Sequence, residues 1–220
     1  MPSLTIENYV KTIFLVCEAQ AGRPAATGQI AAALGVLPGT VTSMLKTLDD
    51  SGLARYKPYE GVALTDSGRA LALRMVRRHR LIELFLVKTL CLQWDEVHEE
   101  AENMEHAVSD RLIDRLDAFL NHPDTDPHGD PIPKADGTLA SPAGERLHSW
   151  PTGRPFRLAY VEDQTPGFLR QLSEQGMSLD SEGIVHQEGS DQVPLLVEIS
   201  GRSFPLDWES AGKIRVVASS

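Results

Sequence analysis

Residues 26–56, ATGQIAAALGVLPGTVTSMLKTLDDSGLARY, decide the reading of the N-terminal part. Thr27 stands where a helix N-cap belongs, Gly28 to Leu34 forms a short helix, and Gly35 ends it. The turn Val36-Leu37-Pro38 leads into a second helix that runs to about Asp50, where Ser51-Gly52 stops it. Val41, Leu45 and Leu48, with Met44 beside them, give that helix one apolar face. Two short helices joined by a brief glycine-containing turn make a helix-turn-helix. Leu53–Tyr56 and Val62–Thr65 then alternate as two short strands around the turn Lys57–Gly61, which adds the wing of a winged helix.

In such a unit the N-terminal end of the second helix meets base edges in the major groove. Here that end offers Pro38, Gly39, Thr40, Thr42, Ser43 and Lys46, all small or polar. The hydroxyls suit base edges or phosphates, and Lys46 suits a phosphate. With no Arg, Asn or Gln on this face, recognition leans on DNA shape and water. Thr27 and the wing residue Lys57 join the candidate DNA-binding set, and Arg69, Arg74, Arg77 and Arg78 are candidates for backbone contacts. A bare pair of helices also occurs in proteins that never touch DNA, so the adjoining hairpin carries much of this reading.

Outward from this stretch, an amphipathic helix spans Thr5 to about Ala21, with Thr5 as its cap. A long helix follows the wing from about Ser67 to Leu90, then one from Trp94 to His106 or Ala107, then one from Ser109 to Leu120. Residues 121–155 are rich in Pro, Gly, Asp and His and read as a linker, with a short helix near Ala143–Ser149. Beyond it FRLAYV, GIVHQ, PLLVEIS and KIRVVA read as strands, with a short helix Thr165–Gln175 between the first two. That last part is a β-rich domain of about 65 residues, consistent with a compact barrel. The expected organisation is a winged helix-turn-helix at 1–74, a helical dimerisation and metal-binding domain at 75–142, a linker at 143–155 and the β domain at 156–220. The fold class is mainly α with a small β part.

The 220 residues carry a net charge of −10, which by itself disfavours a nucleic-acid partner. The distribution reverses that inference. Residues 1–80 hold ten Lys/Arg against six Asp/Glu, residues 81–150 five against fifteen, and residues 151–220 six against ten. The front is mildly basic and the middle is acidic, where a divalent cation is best held. No segment approaches the roughly 18 apolar residues of a membrane span, and MPSLTIENYVKTIF lacks the pattern of a signal peptide. The expectation is a cytoplasmic chain with no membrane partner. Cys17 and Cys91 sit in apolar helical patterns and read as buried thiols in a reducing compartment.

The most informative chemistry lies in VHEEAENMEH, residues 97–106. His98, Glu102, Glu105 and His106 recur at i, i+4, i+7 and i+8, on one helix face. His79 and Glu83 form another i, i+4 pair on the preceding helix. Imidazoles and carboxylates on two consecutive helices can enclose one ion. With no thiolate among them, the set favours Mn²⁺ or Fe²⁺ over structural zinc. His98-Glu99 lacks the second histidine of a zinc-protease signature. Leu112, Ile113, Leu116 and Phe119 make an apolar stripe too wide for an isolated surface helix, which points to a homodimer or to packing within the monomer. Two rival readings stand beside a metal-sensing regulator. One is a metal-dependent hydrolase built on the same cluster, although no separate nucleophile or general base is visible. The other is a metal-independent winged-helix regulator whose cluster is structural. No small organic substrate is expected.

The motifs RHRLIELFL (residues 78–86), VHEEAENMEH (97–106) and HGDPIP (128–133), in this order, resemble the diphtheria toxin repressor family of metal-activated repressors, which includes the manganese transport regulators. The resemblance covers most of the chain and implies an SH3-like, FeoA-like C-terminal domain. It implies a primary metal site at Glu102, Glu105 and His106 with Asn8 from the first helix. It implies an ancillary site at His79, Glu83 and His98, joined from the third domain by Glu162, Asp163 or Gln164. Glu102 matches the manganese-type members, where iron-type members carry Cys. Asn8 departs from both, which have Asp and Met respectively, and Lys11 stands where some manganese regulators place Glu. The implied cofactor is Mn²⁺, alternatively Fe²⁺. The implied partners are double-stranded operator DNA and a second copy of the chain, and the implied targets are metal-uptake genes.

Overall fold

The computed structural model of the chain describes residues 3–219. It resolves into two compact units, one of Met1–His79 with Pro133–Thr138 and the other of Arg80–Ile132 with Leu139–Ser220.

The first unit opens with helix α1 (Leu4–Ala19). Its cap is Ser3, whose side chain accepts the Ile6 amide at 3.4 Å, so the helix starts two residues earlier than a Thr5 cap would place it. Helices α2 (Thr27–Leu34) and α3 (Pro38–Asp50) follow as expected from their local signals. Thr27 is not the cap of α2: it is the first helical residue, and the Gln29 side chain accepts the Ala26 amide at 2.8 Å instead. Pro38 begins α3, where a missing N–H costs nothing. Strands β1 (Ala54–Lys57) and β2 (Gly61–Leu64) pair antiparallel, with Ala54 opposite Leu64, and form the wing. Val10, Ile13, Ile30, Val41, Leu45, Leu48 and Val62 are fully buried and make the core of this unit. Ala25 and Val62 exchange both backbone hydrogen bonds and tie the wing to the segment before α2.

Helix α4 (Asp66–Leu90) begins in the first unit and continues into the second. In the first unit its Arg77 and Arg78 are buried, and Arg77 donates to the Pro133 carbonyl at 2.8 Å. These two arginines are therefore packed in the protein and do not belong to a DNA-facing patch. Arg69 pairs with Glu18 at 3.1 Å and lies over the Phe14 ring, while Arg74 is exposed.

The second unit holds the rest of α4, helix α5 (Val97–Met104) and helix α6 (Asp110–Phe119), whose Ser109 cap accepts the Leu112 amide. Leu81, Ile82, Leu84, Leu86, Val97, Ala101, Ile113 and Ile132 form one core cluster. The six-stranded antiparallel sheet has strands β3 (Glu145–Arg146), β4 (Pro155–Val161), β5 (Glu182–Gln187), β6 (Leu195–Ile199), β7 (Arg202–Leu206) and β8 (Ile214–Ala218) in the order β3-β8-β4-β5-β6-β7. Helices α7 (Pro166–Glu174) and α8 (Trp208–Gly212) accompany it, and Phe156, Leu158, Leu169, Leu172, Val197 and Val216 are among its buried residues.

Residues 143–155 are part of this unit and not a free linker. Glu145 pairs with Val216, and Leu147 and Trp150 are buried in the sheet's core. A Cβ on Gly144 (φ +97°) would stand 2.6 Å from the Val216 carbonyl oxygen, so the backbone reaches the sheet where only glycine fits. The helix expected near Ala143–Ser149 shrinks to a 3-10 turn at Leu147–Ser149. Strand β7 and helix α8 were not foreseen. In Arg202–Leu206 only Leu206 is buried, so this edge strand shows little alternation. Cys17 is half-buried, but Cys91 is exposed, because it follows the last residue of α4 with φ +58° and leaves the apolar face. Among the described residues no single helix is long and apolar enough to cross a membrane.

Candidate metal centre and nucleic-acid interface

Helix α3 presents Pro38, Gly39, Thr40, Ser43 and Lys46 on its exposed side, with Thr42 half-buried. The hydroxyls of Thr42 and Ser43 donate to the carbonyls of Pro38 and Gly39, at 3.0 and 3.2 Å. Their oxygens keep lone pairs for donors on DNA. Val41, Leu45 and Leu48 fix the opposite side in the core. Thr27 is half-buried at the start of α2. At the wing Lys57 is exposed and pairs with Glu60 at 3.2 Å, and Tyr59 at the tip is fully exposed.

Two elements carry most of the candidate metal-ligating side chains. On α4, His79 and Glu83 lie one turn apart, both buried. Helix α5 ends at Met104, short of the expected His106. Its first residues leave His98 well exposed and Glu102 half-exposed, whereas Glu105 and His106 fall in the turn beyond the helix. That turn drives the Glu105 carboxylate fully inside, 3.5 Å from His106 Nε2. The four residues thus do not share one simple helix face: His98 and Glu102 sit at the rim, Glu105 and His106 within.

Across the second unit, Glu83 Oε1 lies 3.3 Å from His98 Nδ1, and His98 Nε2 lies 3.9 Å from Glu102 Oε1. In the first unit, Asn8 Oδ1 is a buried acceptor with no hydrogen-bond partner among the described residues. An orphaned buried oxygen is costly and suits a cation. Lys11, where an acidic residue would serve a cation better, is buried, and its Nζ lies 3.1 Å from His79 Nδ1. An ammonium has only hydrogens to give, so His79 Nδ1 accepts there. Imidazole nitrogens and carboxylates, and separately an amide oxygen such as Asn8 Oδ1, are all donor types that suit a divalent first-row ion.

The third-domain candidates are engaged differently. Glu162 accepts from Arg215 at 2.7 and 2.9 Å and from Arg146 at 3.2 and 3.3 Å. Asp163 accepts the Thr165 amide and hydroxyl and pairs with Lys213 at 3.3 Å. Burial opposes ionisation of Asp163, but those partners hold its carboxyl below the usual range. Neither joins a grouping of metal-ligating side chains among the described residues. Gln164 donates to Asp130.

Sequence reasoning missed Asp126 and His128. Both are buried, and with Glu83 their ligating atoms lie within 4.8 Å of one another. HGDPIP was visible as a motif, but two polar residues in a Pro/Gly-rich stretch read as solvated loop. Burial, with the charges of Asp130 and Glu83, raises the Asp126 carboxyl well above its ordinary range, against the opposing pull of Arg80.

On the α6 surface, Leu112 and Phe119 are 46% and 66% exposed, and Leu116 is half-buried. Ile113 is not available to a partner, because it faces the core formed with α4 and α5. Phe119 meets Phe85 edge-on at 6.2 Å, and Leu90 is exposed at the end of α4.

Comparison with known proteins agrees with this architecture. Residues 1–62 match the family described as iron dependent repressor, N-terminal DNA binding domain. Residues 65–134 match iron dependent repressor, metal binding and dimerisation domain. The iron-dependent repressor IdeR of Mycobacterium tuberculosis is 39% identical over 177 residues, covering 77% of this chain and 72% of that protein. The regulator MntR of Lysinibacillus sphaericus is 35% identical over 128 residues, covering 56% of this chain and 90% of its own. A solved manganese-dependent transcriptional repressor in complex with manganese is 39% identical, with a TM-score of 0.83 over 97% of this chain and all of that one. With a DNA-binding domain, a metal-binding and dimerisation domain and a β-rich third part in the same order, the chain belongs to the diphtheria toxin repressor and manganese transport regulator family of metal-dependent, DNA-binding transcriptional regulators, and is not an enzyme.

Proposed function

We propose that this regulator is activated by Mn²⁺, with Fe²⁺ as a second activator, and represses metal-uptake genes from an approximately palindromic operator. The observation that carries the reading is the fully buried Glu105 carboxylate beside His106 Nε2. Glu102, Glu105 and His106, with Asn8 from α1, form the primary site, and His79, Glu83 and His98 form the ancillary one. A bound divalent cation supplies positive charge that these oxygens and nitrogens share. Asn8 contributes a neutral oxygen and Glu102 a carboxylate in place of a thiolate, a donor set that suits a hard cation. Anchoring α1 through Asn8 favours one orientation of the winged helix, a population shift by differential affinity. Two copies joined through Leu112, Leu116, Phe119 and Leu90 present two α3 helices to two half-sites.

The test is operator binding by fluorescence anisotropy on metal-transporter promoters, titrated anaerobically with Mn²⁺, Fe²⁺ and Zn²⁺. Wild-type protein is expected to bind only with metal, and Glu105→Gln and His106→Gln are expected to lose that response while keeping wild-type circular dichroism. Unchanged metal-dependent binding by both variants overturns the assignment.

A further inference from the structure

We propose, on the reading that α3 lies in an operator's major groove, that Tyr59 at the wing tip enters the adjacent minor groove. There its phenol hydroxyl favours A·T pairs flanking each half-site. Residue and backbone are mismatched at this position. Glu60 donates its amide to the Lys57 carbonyl at 3.1 Å, closing a four-residue turn with Pro58 and Tyr59 at its centre. Tyr59 has φ +68°. Proline in the second place and a positive φ in the third mark a type II turn, whose third place suits Gly or Asn. A bulky side chain there is strained. Packing within the protein offsets none of that strain, because Tyr59 is 108% exposed. A residue that breaks a local rule with no gain inside the fold points to a contact made outside it.

The ring is carried on a braced arm. The Leu53 amide donates to the Leu48 carbonyl at 2.9 Å and the Tyr56 amide to Asp49 Oδ1 at 3.3 Å, which fastens β1 to the end of α3. Ala25 and Val62 exchange amide hydrogen bonds of 2.8 and 2.9 Å on the other strand. Gly61, at φ +105°, lets the hairpin close on this segment, since a Cβ there would stand 2.8 Å from the Ala25 carbonyl oxygen. The tip is therefore fixed relative to α3, and residues 57–60 are all exposed. Tyr56 to Tyr59 spans up to about 10 Å, at roughly 3.3 Å per residue. The major groove is about 12 Å wide, so a helix in it has a phosphate strand about 6 Å from its axis. The arm is long enough to bring Tyr59 past that strand to the neighbouring minor groove.

The chemistry of the tip selects the contact. Lys57 pairs with Glu60 at 3.2 Å, so the tip is close to neutral and poorly suited to clamp phosphates. In the minor groove an A·T pair presents only acceptors, adenine N3 and thymine O2, whereas a G·C pair adds the guanine amino donor. A phenol O–H finds an acceptor at A·T and meets the amino group at G·C. The apolar faces of the ring pack against the sugars that wall the groove. The exposed face of α3 offers no Arg, Asn or Gln for bidentate base recognition, so discrimination by the wing adds to what α3 reads.

The probe is a fluorescein-labelled duplex selected by the wild-type protein from a randomised pool in the presence of Mn²⁺, Fe²⁺ or Zn²⁺. Hydroxyl-radical footprinting locates the outermost protected sugars. The pairs there are set to A·T, G·C or inosine·C, which keeps the major-groove face of G·C and removes the minor-groove amino group. Wild type is expected to bind the A·T and inosine·C duplexes at least about fivefold more tightly than the G·C duplex. Tyr59→Gly, with a backbone suited to positive φ, is expected to keep wild-type circular dichroism, lose the outermost protection and bind all three alike. Tyr59→Phe is expected to keep the protection and lose the preference. The proposal is overturned by a wild type indifferent to the three duplexes, or by a preference that persists in Tyr59→Gly or Tyr59→Phe. If the wild type selects no duplex with any of the metals, the functional reading fails and this proposal with it. Specific selection with Tyr59→Gly equal to wild type overturns the proposal alone.

Discussion

Replacing Lys11 with methionine removes the ammonium that lies 3.1 Å from His79 Nδ1 while keeping a stem of similar length. The consequence for metal affinity follows from the lone pair. Nδ1 has one, and Lys11 holds it, leaving the ring hydrogen on Nε2. If His79 is to ligate a cation, either Nδ1 must release Lys11 or the ring must change tautomer and turn an N–H toward an ammonium. Both routes break a charge-assisted hydrogen bond, which contributes about 1.5–3 kcal/mol. Methionine has no such bond to break. At about 1.4 kcal/mol per tenfold, Lys11→Met is expected to tighten Mn²⁺ binding by about 10- to 150-fold. Lys11 is only 6% exposed, so an apolar replacement of similar volume is tolerated. The measurement is competition for Mn²⁺ against a chelating fluorophore, paired with the Mn²⁺ concentration that half-saturates operator binding. Lys11→Arg keeps the charge and is expected to stay near wild type. A Lys11→Met affinity equal to wild type within threefold, or weaker, refutes the reasoning.

Glu102→Cys places a thiolate at a half-exposed position of the proposed primary site and is expected to move the metal ranking toward Fe²⁺ or Zn²⁺ at the expense of Mn²⁺. An unchanged ranking in metal-titrated operator binding removes residue 102 from selectivity. Lys46→Ala is expected to weaken binding to all DNA sequences and lower the salt slope by about one, while Thr40→Ala changes discrimination between operators. Anisotropy titrations that show neither effect with an intact dimer would displace α3 from the groove. Leu112→Glu combined with Phe119→Glu is expected to give a monomer by sedimentation at micromolar concentration without loss of helical signal, because both side chains are exposed. A dimer of wild-type stability counts against that surface.

Helix α3 was legible because its signals are local: Pro38 at the first helical position, an apolar residue on each successive turn, and Ser51-Gly52 at the end. The wing followed from two alternating runs and came out within one residue at each edge. His79 with Glu83, and His98 with Glu102, were visible as i, i+4 pairs for the same reason. Burial was not local. Arg77 and Arg78 read as part of a basic surface, but their side chains are enclosed in the unit that includes Pro133. Ile113 and Leu112 are neighbours in one apolar stripe, and only packing against α4 and α5 separates the buried one from the exposed one.

By itself the amino-acid order determined the sequence of elements through α6, the identity of the winged helix, and the chemical type of the candidate metal ligands, because each of these is encoded in periodicity and spacing over a few turns. Tertiary structure decided which of those side chains share a site. It ended α5 at Met104 and so sent Glu105 inward, it drew residues 143–155 into the sheet, and it carried Asp126 and His128 to Glu83 from a distant part of the chain. No periodicity can announce such a meeting, since the turn at Gly129, the Trp94 carbonyl and the Val161 amide that hold His128 in place come from three separate segments.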